Sequence, residues 1–179
     1  MEQWNQMVFL FLNAKLDASA ADIEFAKFIA EDLICIMPFI LVIAGLRGLW
    51  REGRSAYLDM VGAAMSGLLG LIINYFISLT WYHPRPLEMG IGQTLVTHIQ
   101  DSSFPSDHLT LIWSVAFSLL LHKQQRWIGL FIALLGIPVA WARIYIGVHF
   151  PLDIIGAAIV GLVSAGLIFY FERSLKVTH

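Results

Sequence analysis

Long apolar stretches, separated by short polar segments, dominate the pattern of the chain. A helix needs about 20 mainly apolar residues to cross the hydrocarbon core of a bilayer. Stretches that meet or approach this length predict five membrane-spanning helices, at Leu33–Leu49, Ala56–Trp81, Leu109–Leu121, Trp127–Ala142 and Pro151–Phe171. The third is short for a span unless the residues just before it form its first turn.

The first 32 residues carry a different pattern. Within residues 1–16, apolar side chains recur at helical spacing among Asn and Gln, which predicts an amphipathic helix at the membrane interface. A sixth span is the alternative for this segment. Residues 17–32 mix charged and aromatic side chains, so they form either a second surface helix or the beginning of the first span.

Composition points to lipid as the solvent of this chain. Hydrophobic residues make up 58% of the 179 residues and charged residues only 13%, against about 25% charged in soluble domains. Mean hydropathy is +0.73. We therefore predict an all-α, polytopic integral membrane helical bundle that forms one domain over residues 1–179. The net charge of −2, with no basic stripe, argues against nucleic acid as a partner.

Basic residues are distributed unequally between the two sides of the predicted bundle. If the five spans alternate, one side carries only Lys15, Lys27, Arg85 and Arg143. The other side carries seven basic residues: Arg47, Arg51, Arg54, Lys123, Arg126, Arg173 and Lys176. The positive-inside rule places the side with seven in the cytoplasm, so residues 82–106 and 143–150 are expected to face outward.

Polar residues that hydropathy does not explain gather on this outward side. They form three groups: residues 83–86 after the second span, residues 103–108 before the third, and Arg143 with His149 and Asp153 around the start of the fifth. Each residue alone also fits a simpler role, as an interfacial anchor, a helix cap or a solvated loop residue. Their joint occurrence on one face indicates a functional site.

The residue types in these groups suit a phosphate ligand. Arg85 and Arg143 carry permanently charged forks that match phosphate oxygens two at a time. Ser106 stands at a predicted helix N-cap, where its hydroxyl and nearby backbone N–H groups can bind an anion. His149 and Asp153 are four residues apart and share a helical face, so the carboxylate can fix the imidazole tautomer.

These groups resemble the three signature blocks of the type 2 phosphatidic acid phosphatases, whose superfamily includes vanadium-dependent haloperoxidases. The matching residues are Arg85-Pro86, Pro105-Ser106-Asp107-His108, and Arg143 with His149 and Asp153. The resemblance implies that His149 is a nucleophile oriented by Asp153 and that His108 is the general acid and base. It also implies that Arg85, Arg143 and Ser106 hold the phosphoryl oxygens, with no metal or other cofactor.

Two positions depart from the family pattern. Ser78 stands where the family has a lysine, and Asp107 stands where it has a glycine. His83 is a candidate to compensate for the missing cation, and Asp107 is a further candidate site residue. Both departures are similar to the small bacterial undecaprenyl-diphosphate phosphatases within the family.

The function implied is hydrolysis of undecaprenyl diphosphate to the monophosphate at the outer face of the bacterial cytoplasmic membrane. A lipid diphosphate and the surrounding membrane lipids are the expected partners, and the oligomeric state stays open. Alternatives are a phosphatase for phosphatidate or phosphatidylglycerol phosphate, and a lipid phosphotransferase. A membrane protein that binds or transports lipid phosphates is the alternative outside enzymes.

Overall fold

The computed structural model of the chain describes residues 2–51, 53–96 and 101–177, and every regular element within these ranges is helical. A π-helical turn, Phe28–Asp32, and a 3-10 turn, Leu33–Cys35, join the second helix to the third. The α-helices are α1 Glu2–Leu12, α2 Ala20–Lys27, α3 Ile36–Arg51, α4 Arg54–Thr80, α5 Asp107–Leu121, α6 Arg126–Tyr145 and α7 Pro151–Val177.

Four helical stretches are long and apolar enough to cross a membrane: Ala20–Arg51, Arg54–Thr80, Arg126–Tyr145 and Pro151–Leu175. The predicted third span is the shorter apolar helix α5. The first stretch begins well before the predicted Leu33, because helical turns continue without a break from α2 into α3. Residues 20–32 therefore lead into the first span instead of forming a separate surface helix.

Helix α5 is the centre of the bundle and packs against α4, α6 and α7. Small residues allow the close approach that helix pairs in membranes favour. The Ser66 hydroxyl of α4 donates to the Ser114 carbonyl at 3.1 Å, and the hydroxyls of Ser114 and Ser164 lie 2.9 Å apart. The shortest apolar helix is thus shielded by its neighbours.

The outer surface of the bundle is apolar. Large side chains on α3, α4, α6 and α7 are exposed, among them Phe39, Tyr75, Phe76, Leu134 and Leu162. A surface of this kind needs lipid to cover it. Together with the long apolar helices, it makes this an all-helical, multi-pass membrane protein.

The helices alternate in direction and define two ends of the bundle. The loop end carries residues 81–96, 101–106 and 146–150, and the arginine end carries residues 122–125. The last turn of α3 and the first turns of α4 and α6 also lie at the arginine end. They bring Arg51, Arg54 and Arg126 there.

Helix α1 packs at the loop end. Phe9 is fully buried, with its ring centroid 5.1 Å from that of Phe150. The Asn5 side chain accepts a hydrogen bond from the Leu152 backbone N–H at 3.0 Å. Eleven residues extend only about 16 Å, which is too short to span a bilayer. The alternative of a sixth span is therefore wrong, while Met7 and Phe11 of the predicted apolar stripe remain exposed.

Candidate active site

The three polar groups singled out in the sequence meet at the loop end. Their central residues are 0 to 7% exposed, although most carry charge or can acquire it: Arg85, Ser106, Arg143, His149 and Asp153. Buried charged and polar groups are stable only when paired or bound to something. The partners of these five residues therefore indicate what the site can hold.

His149 and Asp153 form the expected pair across the start of α7. His149 Nδ1 lies 3.4 Å from Asp153 Oδ2, and the same oxygen accepts the Phe150 backbone N–H at 2.8 Å. Pro151 begins the helix, which suits its fixed φ and its missing N–H. A carboxylate beside Nδ1 accepts a hydrogen bond from it, so the proton stays on Nδ1 and Nε2 keeps a free lone pair.

Arg143 lies against that second nitrogen. Its Nη2 is 3.3 Å from His149 Nε2, and its Nη1 donates to the Ala30 carbonyl at 3.5 Å. Arg143 Nε is buried and has no hydrogen-bond partner among the residues that the structure describes. An anion bound by Arg143 would therefore lie next to His149 Nε2.

Arg85 is held from two sides. Its Nη1 donates to the Val148 carbonyl at 2.7 Å, just before His149. Its Nε and Nη2 reach Asp101 Oδ1 at 2.9 and 2.8 Å. The Asp101 side chain is 57% exposed and still forms an ion pair with a buried arginine.

Ser106 is the N-cap residue of α5, in extended conformation, as the sequence predicts. Its hydroxyl is buried and makes no hydrogen bond with any residue in the described ranges. His108 follows in the first turn of the same helix and is half-buried. Buried polar atoms without partners are rare in folded proteins. Ser106 Oγ and Arg143 Nε are two of them, and both types of group bind phosphate oxygens.

The two departures from the family pattern lie side by side. Asp107 is exposed and accepts a hydrogen bond from Asn74 Nδ2 of α4 at 2.7 Å. The Ser78 hydroxyl donates to the Tyr75 carbonyl of its own helix at 2.8 Å. Both residues line a cavity of about 310 Å³ that Asp101 also lines. The position of the family lysine thus lines a cavity that also holds two carboxylates, Asp101 and Asp107.

His83 contacts Ser103 and Asp153. Its Nδ1 is 2.7 Å from the Ser103 hydroxyl and 3.9 Å from Asp153 Oδ1. Burial lowers the pKa of His83 below its ordinary value, although the nearby Glu2 opposes this. A neutral imidazole is a poor substitute for a lysine, so these contacts favour a different role for His83.

A second polar cluster lies at the arginine end. The sequence suggests no partner for His122, but His122 Nε2 lies 3.0 Å from Glu172 Oε2 and 3.6 Å from Asp59 Oδ1. Asp59, near the start of the second predicted span, and Glu172, just after the fifth, were the residues in the sequence that could have indicated this cluster. His98 and His179 lie outside the described residues.

The tight turn between α6 and α7 is a further feature that sequence reasoning missed. Gly147 has φ +82°, and a Cβ there would collide with the Gln93 carbonyl. The Thr94 hydroxyl donates to the Gly147 carbonyl at 3.1 Å, and the Leu95 N–H donates to the Ile146 carbonyl at 2.9 Å. The loop before α5 therefore supports the turn that carries His149.

Comparison with known proteins agrees with this geometry. A family model described as the PAP2 superfamily matches residues 59–176. YbjG of Escherichia coli, provisionally named an undecaprenyl-diphosphatase, is 34% identical over 92% of this chain and 80% of its own length. The undecaprenyl-diphosphatase BcrC of Bacillus subtilis is 33% identical over 83% of this chain and 74% of its own.

A solved structure shares the fold. The crystal structure of Aquifex aeolicus LpxE superimposes with a TM-score of 0.72 and covers 93% of this chain and 95% of that one. Its sequence identity is 20%, so the likeness concerns the helical architecture alone. The family model and the relatives lead to the same family as the signature residues.

Proposed function

The chain belongs to the PAP2 superfamily, and from this premise we propose that it hydrolyses undecaprenyl diphosphate to undecaprenyl phosphate and inorganic phosphate. The names of its relatives in Escherichia coli and Bacillus subtilis support this choice of substrate. The observation that carries the chemistry is the buried line from Asp153 through His149 to Arg143. It joins a nucleophile, its orienting carboxylate and a phosphate-binding cation.

The first step transfers the terminal phosphoryl group to His149. Nε2 attacks the terminal phosphorus, and the bond between that phosphorus and the bridging oxygen breaks. His108 donates a proton to the leaving lipid phosphate, while His149 keeps its Nδ1 proton, which Asp153 accepts in a hydrogen bond that stabilises the positive charge on the ring. Arg85, Arg143 and Ser106 neutralise and position the phosphoryl oxygens, which dominates catalysis of phosphoryl transfer.

The second step regenerates the enzyme. Water attacks the phosphorus of the phosphohistidine, the P–N bond breaks, and His108 accepts the proton of the water. Inorganic phosphate leaves and His149 returns to its neutral form. Each charge needed in these steps belongs to a side chain of the site, so we expect no requirement for a divalent metal.

We also propose that the loop end faces the outside of the bacterial cytoplasmic membrane. Arg51, Arg54 and Arg126 lie at the arginine end, and basic residues are retained on the cytoplasmic side of membrane proteins. A lipid diphosphate in the outer leaflet would keep its chain among the exposed apolar helices and present its phosphates to Arg85 and Arg143. The product would be the carrier lipid of cell-wall synthesis, ready for reuse.

Phosphate release by purified protein in detergent, with EDTA present, tests the proposal. We expect turnover of undecaprenyl diphosphate to exceed that of phosphatidate and phosphatidylglycerol phosphate. His149→Ala should lower kcat by more than about 10⁴-fold, because the nucleophile is lost. Asp153→Asn should keep the fold but lose most turnover, and orthovanadate should inhibit by imitating pentacoordinate phosphorus.

The outcomes separate the substrate from the mechanism. Faster turnover of phosphatidate would overturn the carrier-lipid assignment and leave the histidine chemistry intact. Near-normal turnover by His149→Ala would show that the nucleophile is wrong. Arg126→Lys serves as the matched control, because Arg126 is exposed at the arginine end and its substitution should leave the rates unchanged.

A further inference from the structure

The two carboxylate oxygens of Asp153 have different surroundings. Asp153 is fully buried, and its Oδ2 is engaged by His149 and by the Phe150 N–H. Its Oδ1 is buried and accepts no hydrogen bond of good geometry from the described residues. A buried carboxylate oxygen without a donor is costly, so a group able to donate is expected beside it.

Two polar side chains of the loop before α5 lie near the Asp153 carboxylate. His83 Nδ1 lies 3.9 Å from Asp153 Oδ1 and 2.7 Å from the Ser103 hydroxyl. Ser103 is fully buried; its hydroxyl has the Pro84 carbonyl at 3.5 Å as an acceptor and also stabilises the charge of the Asp153 carboxylate. Neither contact belongs to the three signature blocks.

Hydrogen bonds of the loop backbone connect this pair. The Ser103 N–H donates to the His83 carbonyl at 2.8 Å, and the His83 N–H donates to the Ser102 hydroxyl at 3.1 Å. The His83 ring packs edge-on against Phe150, with centroids 5.9 Å apart. The pair therefore packs against the turn that carries His149 and Asp153, close to the carboxylate.

We propose that His83 and Ser103 form a positioning pair that supplies the missing hydrogen bond to Asp153 Oδ1 and so holds His149 in line with the phosphorus. The His83 Nδ1–H donates to Ser103 Oγ, and the Ser103 hydroxyl donates to Asp153. Asp153 then accepts Nδ1–H of His149 through its other oxygen. This inference rests on the proposed function, because it takes His149 as the nucleophile.

The protonation of His83 agrees with this arrangement. Burial lowers the pKa of His83, which favours the neutral ring with one N–H. In the proposed arrangement that proton lies on Nδ1 and leaves the serine hydroxyl to donate to the carboxylate. The pair acts through Asp153 and does not touch the phosphate.

Steady-state kinetics of Ser103→Ala and His83→Phe test the pair. Both changes remove a donor, and His83→Phe keeps an aromatic ring against Phe150. We expect kcat to fall about 10- to 100-fold, the cost of a misplaced reacting group, with KM within about twofold. His83→Asn retains an N–H near the position of Nδ1 and should recover most of the loss.

A double-mutant cycle distinguishes positioning from a merely structural role. In an Asp153→Asn background, Ser103→Ala should lower kcat by less than about twofold further, because the pair acts through the carboxylate. Independent effects would multiply and would overturn the proposal. Thr80→Ala is the matched control, because the Thr80 hydroxyl bonds only carbonyls of its own helix, and it should keep normal kcat.

Failure of this inference is distinguishable from failure of the proposed function. If His149→Ala is inactive while Ser103→Ala and His83→Phe both keep normal kcat, the pair alone is refuted. If His149→Ala stays active, the nucleophile assignment fails and the pair fails with it. Melting temperatures in detergent show which variants are folded, and His83→Phe decides the question if Ser103→Ala does not fold.

Discussion

At the scale of single residues, the site depends on buried groups that are complete only with an anion present. Arg143 Nε and Ser106 Oγ are buried and lack partners among the described residues. Arg143 also contacts His149 Nε2, the nitrogen that attacks in the proposed reaction. In the proposed reaction, one side chain would thus bind phosphate and set its distance from the nucleophile.

Arg143→Lys tests this double role. Lysine keeps the positive charge but lacks the planar fork that meets two oxygens at once. We expect kcat/KM for undecaprenyl diphosphate to fall about 10- to 100-fold, because the variant loses one or two charge-assisted hydrogen bonds to the phosphate. The measurement is initial rates of phosphate release at several substrate concentrations. A change below threefold would show that the fork is not used.

Most residues of the site were predictable from the sequence, and their partners were not. The spacing of His149 and Asp153 predicts a shared helical face, and the structure brings them together. Nothing in the spacing connects Arg85 with Asp101, Asp107 with Asn74, or His122 with Glu172. These pairs join segments that are distant in sequence, so only packing determines them.

At the scale of elements, the turn between α6 and α7 aligns the site. Its backbone accepts hydrogen bonds from Thr94 and Leu95 of the preceding loop, and Gly147 permits the close approach of the Gln93 carbonyl. His149 follows two residues later. The position of the nucleophile therefore depends on a loop contact as well as on the helices.

Gly147→Ala should damage both stability and turnover. A side chain at φ +82° costs about 1–2 kcal/mol, and the new Cβ would displace the Gln93 carbonyl. We expect a lower melting temperature in detergent and a fall in kcat of about 10-fold or more, because His149 shifts.

Gly53→Ala is a matched control for that experiment. Gly53 has φ +83° and nothing within 4 Å of an added Cβ, and it lies at the arginine end. Similar backbone strain should lower stability there without lowering kcat. Equal losses of kcat in both variants would contradict a special role for the turn at Gly147.

At the scale of the whole molecule, the bundle separates two polar ends across an apolar middle. The proposed site lies at the loop end, while His122, Asp59 and Glu172 connect α4, α7 and the end of α5 at the arginine end. The proposed orientation of the bundle in the membrane follows from the excess of basic residues at the arginine end. That orientation determines which leaflet of the bilayer supplies the substrate.

Cysteine labelling in intact cells tests that orientation. Cys35 is the only cysteine, so Cys35→Ser provides a background for Glu88→Cys at the loop end and Gln124→Cys at the arginine end. A membrane-impermeant maleimide should label Glu88→Cys in spheroplasts and label Gln124→Cys only after lysis. The reverse pattern would place the site in the cytoplasm.

The sequence by itself determined the solvent, the helical class and the reactive groups. Apolar run length and helical spacing are local properties, and they do not depend on which segments later touch. Only the tertiary structure decided that α5 lies at the centre, that α1 packs on Phe150, and that His83 and Ser103 lie beside Asp153. These depend on contacts between segments far apart in the chain, whose geometry follows from packing the whole bundle.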